Sequence, residues 1–276
     1  MSSRSAAEIP IKGAGEGAGA PVMKSLLESA SPMRGVIVIP ARYASTRFPG
    51  KPLVPIAGVS LIQRVYARAA LSSRAQAVYV ATDDDRIAAH VAEFGGKVVR
   101  PEGDFQSGTD RIAAALDIIE PLEGTTFDHI VNVQGDEPLI DVRSVDALFD
   151  TLADVETDIA TLACPIESDA EYQSRDVVKV VTDLAGNALY FSRAPIPYGS
   201  REMARRHVGL YGYQTRALRA FTRLAPSPLE RAESLEQLRA LQNGFRIHVL
   251  HTDKPHLGVD RPEDVARVEA EIAKHA

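Results

Sequence analysis

The chain alternates short, continuous apolar runs with longer segments in which apolar residues recur every three or four positions. The first run, at 36–39, is too short for a helix and rich in β-branched residues, which is typical of a buried strand. Similar runs predict further strands at 77–82, 97–100, 129–133, 158–164, 177–181, 188–191, 207–213 and 246–250. The helical spacing predicts helices at about 60–69, 87–94, 107–119, 215–224, 230–241 and from 262 onward.

Strands that alternate with helices of this length imply right-handed βαβ units and a largely parallel sheet. No internal repeat or interdomain linker is visible in the pattern. We therefore predict one α/β domain over 33–276, preceded by a disordered extension over 1–32 that is rich in Ser, Ala, Gly and Pro. The segment at about 165–230 is expected to carry a substrate lid and a dimer contact.

The segment after the first run carries three cations, Arg42, Arg47 and Lys51, with no acidic residue between them. Pro40 has no N–H to donate, so the strand should end there and a loop should follow. Open α/β sheets bind phosphates where such loops leave the carboxyl end of a strand. Three loop cations are often only solvated surface, but their clustering after a buried strand predicts an anion site. The loop matches neither the P-loop pattern nor the dinucleotide glycine fingerprint, which disfavours a nicotinamide dehydrogenase.

The net charge of −6 argues against a broad nucleic-acid-binding face, so the basic stretch at 42–51 suits one small anionic ligand. The single cysteine, Cys164, lies in an apolar run, which favours a buried thiol and excludes an internal disulfide or a cysteine-based zinc cluster. No apolar stretch approaches the roughly 18 residues of a membrane span. Residues 1–32 lack the apolar core of a signal peptide. We expect a cytoplasmic protein without membrane insertion or a nucleic-acid partner.

Two aspartates follow predicted strands far apart in the sequence. Asp136 comes just after the strand at 129–133, and Asp260 lies between the last strand and the last helix. Two carboxylates beside a phosphate site suit Mg²⁺, which takes one or two carboxylates together with substrate phosphate oxygens. From spacing alone, a turn-forming role for Asp136 and a helix N-cap role for Asp260 are equally consistent with the sequence.

Several longer blocks carry a family resemblance. In one-letter code they are PARYASTRFPGKPL at 40–53, ATD at 81–83, QSGTDR at 106–111, NVQGDEP at 132–138, LYFSR at 189–193, RHVGLYGY at 206–213, PSPLE at 226–230, LEQLR at 235–239 and GVD at 258–260. Together they resemble the 3-deoxy-manno-octulosonate (Kdo) cytidylyltransferase family, also called CMP-Kdo synthetases. The blocks run in the family's order from about residue 35 to the end, whereas sugar nucleotidyltransferases in general share only the first.

The resemblance implies a Rossmann-like nucleotide-diphospho-sugar transferase fold, three-layer α/β/α with a largely parallel mixed sheet. It also implies a homodimeric enzyme that uses Mg²⁺, CTP and Kdo to make CMP-Kdo and pyrophosphate for lipopolysaccharide biosynthesis. The catalytic residues would be Arg42, Lys51 and Asp136, with Asp136 and Asp260 as metal ligands. The CTP-binding residues would be Ala41, Arg42, Ser45, Thr46, Arg47, Lys51, Asp83, Gln106, Ser107 and Gly108. The Kdo-binding residues would be Gln134, Arg193, His207, Tyr211 and Glu236.

Each sugar-site residue has a structural alternative. Tyr211 could be core packing, His207 a strand-edge histidine and Glu236 part of a solvated helix face. A CMP-sialate synthetase, an enzyme specific for 8-amino-Kdo and a non-catalytic nucleotide-binding protein are the alternative functions. The polar loop at 199–206, with its three arginines, is short and departs from the family pattern, which affects the lid rather than the reaction.

Overall fold

The computed structural model describes residues 33–44, 48–105, 107–253 and 257–274, and the chain from Arg34 onward forms one compact unit. The extension predicted over 1–32 lies outside the described residues. Four of the predicted nucleotide-binding residues also lie outside the described residues, namely Ser45, Thr46, Arg47 and Gln106.

The described strands are β1 (Gly35–Pro40), β2 (Pro55–Ile56), β3 (Val59–Ser60), β4 (Ala75–Ala81), β5 (Lys97–Val99), β6 (His129–Asn132), β7 (Ile159–Pro165), β8 (Lys179–Thr182), β9 (Ala188–Ser192), β10 (Arg205–Gln214) and β11 (Ile247–His251). The described helices are α1 (Leu61–Ala69), α2 (Asp85–Glu93), α3 (Gly108–Glu123), α4 (Val142–Leu152), α5 (Asp169–Gln173), α6 (Thr215–Phe221), α7 (Pro228–Glu233), α8 (Gln237–Gln242) and α9 (Pro262–Ala273), with a short 3-10 turn at Lys51–Leu53.

The main sheet has the order β11-β7-β10-β6-β1-β4-β5, and β8 and β9 extend it beside β10. Six of the strands along this path run parallel, while β10 runs antiparallel to both β6 and β7. This confirms the predicted mixed, largely parallel sheet. Since β10 runs backwards, its first residues lie at the edge where β6 and β7 end.

Side chains alternate along β1 between two hydrophobic layers. Ile37 and Ile39 pack on one side with buried residues of α1, α2 and α4, whereas Val36 and Val38 pack on the other with α3, α6 and α8. Helices therefore cover both faces, and the predicted three-layer α/β/α arrangement is confirmed. None of the described helices combines the length and the apolar character needed to cross a membrane.

The helices differ from the prediction in two ways. The hydrophobic pattern does not predict α4 or the short α5, although Asp141 caps α4 by accepting a hydrogen bond from the Arg143 N–H, and Val145, Leu148 and Leu152 are buried at helical spacing. The single helix predicted over 230–241 is divided into α7 and α8. The division lies at Ser234, which has a left-handed φ of 54°.

The predicted polar loop at 199–206 is shorter than expected, because Arg205 already belongs to β10. Two of its arginines pair with acidic residues of α5. Arg201 lies 2.8 Å from Asp169 and Arg206 lies 3.1 Å from Glu171. The remaining strand predictions are confirmed to within about two residues of their ends, which is the usual uncertainty of element boundaries.

Candidate active site

The carboxyl ends of β1, β4 and β6 lie next to the amino end of α3. Pro40 at the end of β1 is the common neighbour: a Cβ on Gly108 would lie 3.6 Å from its ring, and a Cβ on Gly135 would lie 3.0 Å from its carbonyl oxygen. The second distance is tighter than most real Cβ contacts, so glycine lets the β6 loop cross β1 without a shift of the Pro40 backbone. The three predicted blocks at 40–53, 106–111 and 132–138 thus meet at one edge of the sheet.

The cationic loop begins at this edge. Ala41 is buried, and its N–H donates to the Ala81 carbonyl at 2.9 Å, which fixes the start of the loop. Arg42 is exposed. The Gly50 N–H donates to the Tyr43 carbonyl at 3.0 Å and closes the loop, with Gly50 in the left-handed region at φ 72°.

Lys51 lies directly after this closure and contacts both predicted metal ligands. Its ammonium nitrogen lies 2.8 Å from Asp136 Oδ2 and 3.6 Å from Asp260 Oδ1. The Val259 N–H donates to the Asp136 carbonyl oxygen at 2.9 Å, and this backbone bond brings the far end of the chain to the β6 loop. The two aspartates therefore converge as the sequence predicted.

The alternative role of Asp260 as a helix N-cap is wrong. The N-cap of α9 is Arg261, and the Asp264 carboxylate accepts the backbone N–H groups of both Asp260 and Arg261, each at 2.9 Å. The Asp260 side chain points to Lys51 instead. It is more than half exposed at 56%, so it can still reach a ligand.

Burial raises the pKa of Asp136, and the neighbouring Lys51 ammonium opposes that shift. The Lys51 ammonium thus lies between the two carboxylates at this corner of the sheet. Two carboxylates with solvent access also match the donor set of Mg²⁺, which keeps waters and phosphate oxygens in its shell. Within the described residues there is no group of three or more metal-ligating side chains, so the protein's share of such a site would be these two oxygen donors.

The amino end of α3 borders the loop. Ser107, one of the two residues that the sequence offers as a cap together with Thr109, is its N-cap, and its hydroxyl accepts a hydrogen bond from the Asp110 N–H at 3.1 Å. One helical turn on, Arg111 is buried and donates to Asp83 Oδ2 at 3.0 Å. This hydrogen bond to Arg111 holds the pKa of Asp83 below its usual value. Ser107, Gly108 and Asp83, all predicted for CTP, therefore lie on the same side of the site.

Glu236 joins the same helix end from the opposite side. Its carboxylate accepts hydrogen bonds from the Thr109 hydroxyl and from Arg239 Nη2, both at 2.8 Å. Burial raises the pKa of Glu236, while the bonds from Thr109 and Ser107 act against that shift. The break at Ser234 turns Glu236 inward, so the solvated-helix alternative is wrong. Thr109 was not among the predicted site residues, although it belongs to a quoted block.

His207 and Tyr211 lie on β10 beside this cluster. Their ring centroids are 5.3 Å apart, and the His207 ring also makes an edge contact with Phe191 at 5.1 Å. Burial lowers the pKa of His207 to about 3, so the imidazole is neutral at physiological pH. Burial raises the pKa of Tyr211 well above its usual value, so its hydroxyl keeps its proton.

Arg193 is held by its surroundings. Its Nε donates to the Glu233 carbonyl at 2.9 Å and its Nη1 to the Arg175 carbonyl at 3.0 Å. The fully buried Lys179 donates to the Arg193 carbonyl at 2.7 Å. A guanidinium has five N–H donors, so both terminal nitrogens keep capacity for a further acceptor. Gln134 is half-buried in the loop after β6, two residues before Asp136.

Comparison with known proteins agrees with this geometry. The sequence model of the cytidylyltransferase family matches residues 36–247. A 3-deoxy-manno-octulosonate cytidylyltransferase of Syntrophotalea carbinolica is 50% identical over 249 residues, which cover 85% of this chain and 97% of the relative. The 3-deoxy-manno-octulosonate cytidylyltransferase of Syntrophobacter fumaroxidans is 48% identical over 250 residues, which cover 88% of this chain and 99% of the relative.

A solved structure of CMP:2-keto-3-deoxy-manno-octonic acid synthetase complexed with CTP matches the fold. It is 41% identical to this chain and superposes with a TM-score of 0.81. The match covers 88% of this chain and 100% of the chain in that structure. The nucleotide-diphospho-sugar transferase fold expected from the sequence is confirmed. The chain therefore belongs to the cytidylyltransferase family and is a nucleotidyltransferase enzyme, similar over most of its length to 3-deoxy-manno-octulosonate cytidylyltransferases.

Proposed function

We propose that this enzyme transfers CMP from CTP to Kdo, giving CMP-Kdo and pyrophosphate, and so activates Kdo for lipopolysaccharide biosynthesis. The proposal is supported by the 3-deoxy-manno-octulosonate cytidylyltransferase of Syntrophotalea carbinolica, which is 50% identical to this chain. The observation that carries it is the contact of Lys51 with both Asp136 and Asp260 at the sheet edge, beside the amino end of α3.

In this reaction the anomeric hydroxyl oxygen of Kdo bonds to the α-phosphorus of CTP. The bond between that phosphorus and the oxygen bridging to the β-phosphate breaks, pyrophosphate leaves with the electron pair, and the hydroxyl proton passes to solvent. Transfers of this kind need positioning and charge neutralisation more than a covalent intermediate. The site offers groups for both tasks.

Charge is the main obstacle, because the triphosphate and the Kdo carboxylate are both anions. Two like unit charges 4 Å apart repel by about 4 kcal/mol at an effective dielectric constant of about 20. Arg42, Arg47 and Lys51 would counter this repulsion along the triphosphate, with backbone N–H groups of 42–46 helping to hold it, since the Ala41 N–H already donates to the Ala81 carbonyl. Ser107, Gly108 and Gln106 would contact the cytosine.

Asp136 and Asp260 fit Mg²⁺ and would hold it. When bound, the ion would neutralise phosphate charge and lower the pKa of the attacking hydroxyl. The protein's own contribution is to hold the two carboxylates close together, with the Lys51 ammonium 2.8 and 3.6 Å from them.

Five side chains would orient the sugar acid. Arg193 would bind its carboxylate, for which the planar guanidinium is suited. Gln134, His207, Tyr211 and Glu236 would bond its hydroxyls. Glu236 shares the amino end of α3 with the cytosine residues through its 2.8 Å bond with Thr109, so the two substrates would lie side by side.

A pyrophosphate-release assay with CTP, Mg²⁺ and Kdo tests the proposal. Turnover should require all three, and N-acetylneuraminate, 8-amino-Kdo and UTP should be poorer replacements. Preference for N-acetylneuraminate would identify a CMP-sialate synthetase, and preference for 8-amino-Kdo would change the sugar. Binding of CTP without turnover of any sugar acid would favour the non-catalytic alternative.

The homodimer and the cytoplasmic location belong to the same proposal and are supported by the family resemblance. Light scattering at assay concentration should give twice the chain mass of 29.8 kDa. Fractionation of the producing cells should recover the activity with cytoplasmic enzymes.

A further inference from the structure

Thr161, on β7, is fully buried and makes three polar contacts through one hydroxyl. Its Oγ1 lies 2.9 Å from the Leu210 carbonyl, 3.2 Å from the Val208 carbonyl and 3.0 Å from His207 Nε2. Its partners thus include one of the residues proposed to bind the sugar acid. Neither the sequence blocks nor the proposed site includes Thr161.

Counting protons decides the direction of these bonds. The hydroxyl has one proton, and the two carbonyl oxygens can only accept. If that proton pointed to His207, the hydroxyl oxygen would face both carbonyl oxygens at 2.9 and 3.2 Å with no proton between them. Oxygen lone pairs repel at such distances, so the hydroxyl proton points to the carbonyls and the hydroxyl oxygen accepts from His207 Nε2–H.

That direction fixes the histidine tautomer. Because the ring is neutral, a proton on Nε2 leaves Nδ1 as a hydrogen-bond acceptor. No residue in the described part of the chain bonds Nδ1, and His207 as a whole residue keeps some solvent exposure. An acceptor nitrogen therefore remains for a hydroxyl donor.

Thr161 also holds the backbone that carries His207. The pairing of β10 with β7 shifts register between Val208 and Tyr211, and the two carbonyls bonded by Thr161 lie at this bulge. In a regular strand, residues four apart lie about 13 Å from each other. The ring centroids of His207 and Tyr211 are nevertheless only 5.3 Å apart. The two side chains lean toward each other, and the bulge in β10 shortens the backbone between them.

We propose that Thr161 is a positioning residue for the sugar acid: its hydroxyl secures the β10 bulge and keeps His207 in the Nε2–H tautomer, so that Nδ1 accepts a hydrogen bond from a sugar hydroxyl. This inference rests on the proposed function for its ligand. The tautomer itself is a property of the free enzyme.

The first test is therefore made without substrate. Nitrogen-15 spectra of the histidine-labelled full chain, assigned by the signals lost in His207→Gln, should give a protonated, pyrrole-type Nε2 and an unprotonated Nδ1 at neutral pH. A protonated Nδ1 would overturn the proposal. The deciding spectra are those of the wild-type protein without substrate, so this result does not depend on the identity of the substrate; the variant serves only to assign the signals.

The second test is kinetic. Thr161→Val should raise KM for Kdo by about tenfold or more and change KM for CTP by no more than about twofold, while Thr161→Ser should restore binding. Thr215→Val is the matched control, since it removes another hydroxyl–carbonyl bond, to Phe127 at 2.6 Å, where β10 ends at the opposite edge of the sheet. Equal KM effects from both valine variants, or no rescue by serine, would refute the positioning role. If wild type fails to use Kdo, the proposed function fails while the tautomer result stands.

Discussion

Replacing Lys51 with methionine tests the corner of the site where three charges meet. Methionine keeps most of the side chain's length but removes the ammonium that lies 2.8 Å from Asp136 and 3.6 Å from Asp260. At an effective dielectric constant of about 20, the shorter contact corresponds to about 6 kcal/mol of attraction before desolvation is subtracted.

The net loss of stability is smaller. Exposed ion pairs contribute about 0–1 kcal/mol, and breaking a buried pair costs about 3–5 kcal/mol. The Lys51 side chain is 15% exposed and that of Asp136 is 32% exposed, so the pair lies between these cases and we expect a loss of about 1–3 kcal/mol. The Asp260 contact adds little, because that carboxylate is more than half in solvent.

The effect on turnover should be larger than the effect on stability. An ammonium that faces developing phosphate charge acts in the transition state, and removing such a group lowers kcat by about 100- to 1,000-fold. Pyrophosphate release and urea unfolding, measured on the same preparations, separate the two effects. Lys97→Met is the control, because Lys97 forms an exposed pair with Glu123 at the start of β5.

The refuting result is clear. If Lys51→Met keeps more than a third of the wild-type kcat and unfolds at the same urea concentration, Lys51 neither neutralises phosphate nor holds the aspartates together. If Lys97→Met loses as much activity as Lys51→Met, the loss is a general effect of removing a lysine.

Three further predictions follow from the same site. Chelation of metal ions should abolish pyrophosphate release, and added Mg²⁺ should restore it. Asp260→Asn should raise the Mg²⁺ concentration that gives the half-maximal rate by about tenfold or more. If that concentration is unchanged, Asp260 is not a ligand of the metal. Thr109→Val should raise KM for Kdo by about tenfold, because the 2.8 Å hydrogen bond to the Glu236 carboxylate is lost; an unchanged KM would exclude this link. The pKa of His207 is about 3 in the folded protein and about 6.5 in the unfolded chain. Between these pH values the unfolded chain binds a proton at His207 that the folded protein does not bind, so stability is lost as the pH falls from about 6.5 toward 3. Urea unfolding at several pH values should show this loss in the wild type, at most about 1.4 kcal/mol per pH unit, and no such loss in His207→Gln. An identical dependence of stability on pH in both proteins would contradict the prediction.

The sequence predicts best where a local pattern decides the structure. The run at 36–39 could only be a buried strand, and Ser107 precedes a helical pattern as an N-cap residue does. The meeting of Lys51 with Asp136 and Asp260 follows from the rule that parallel strands end at one edge. The backbone bond from Val259 to Asp136 makes that meeting specific, and no spacing rule predicts it.

Prediction fails where tertiary contacts override the local pattern. Residues 230–241 have the spacing of one helix, but the chain turns at Ser234, and Leu235 and Leu238, which both follow that turn, are buried in the folded protein. Thr161 is only a β-branched residue in a strand until its partners, more than forty residues away, are known. The position of Glu236 and the role of Thr161 therefore required the three-dimensional structure.

The backbone bond between Val259 and Asp136 has a consequence for synthesis of the enzyme. The second aspartate of the pair is translated more than a hundred residues after the first, so the nascent chain can complete every strand through β11 while still lacking one of the two proposed magnesium ligands. The proposed reaction would therefore begin only after the ribosome has released the segment that contains Asp260. A premature stop codon before that position would yield a product without the second proposed ligand, however well its strands have assembled.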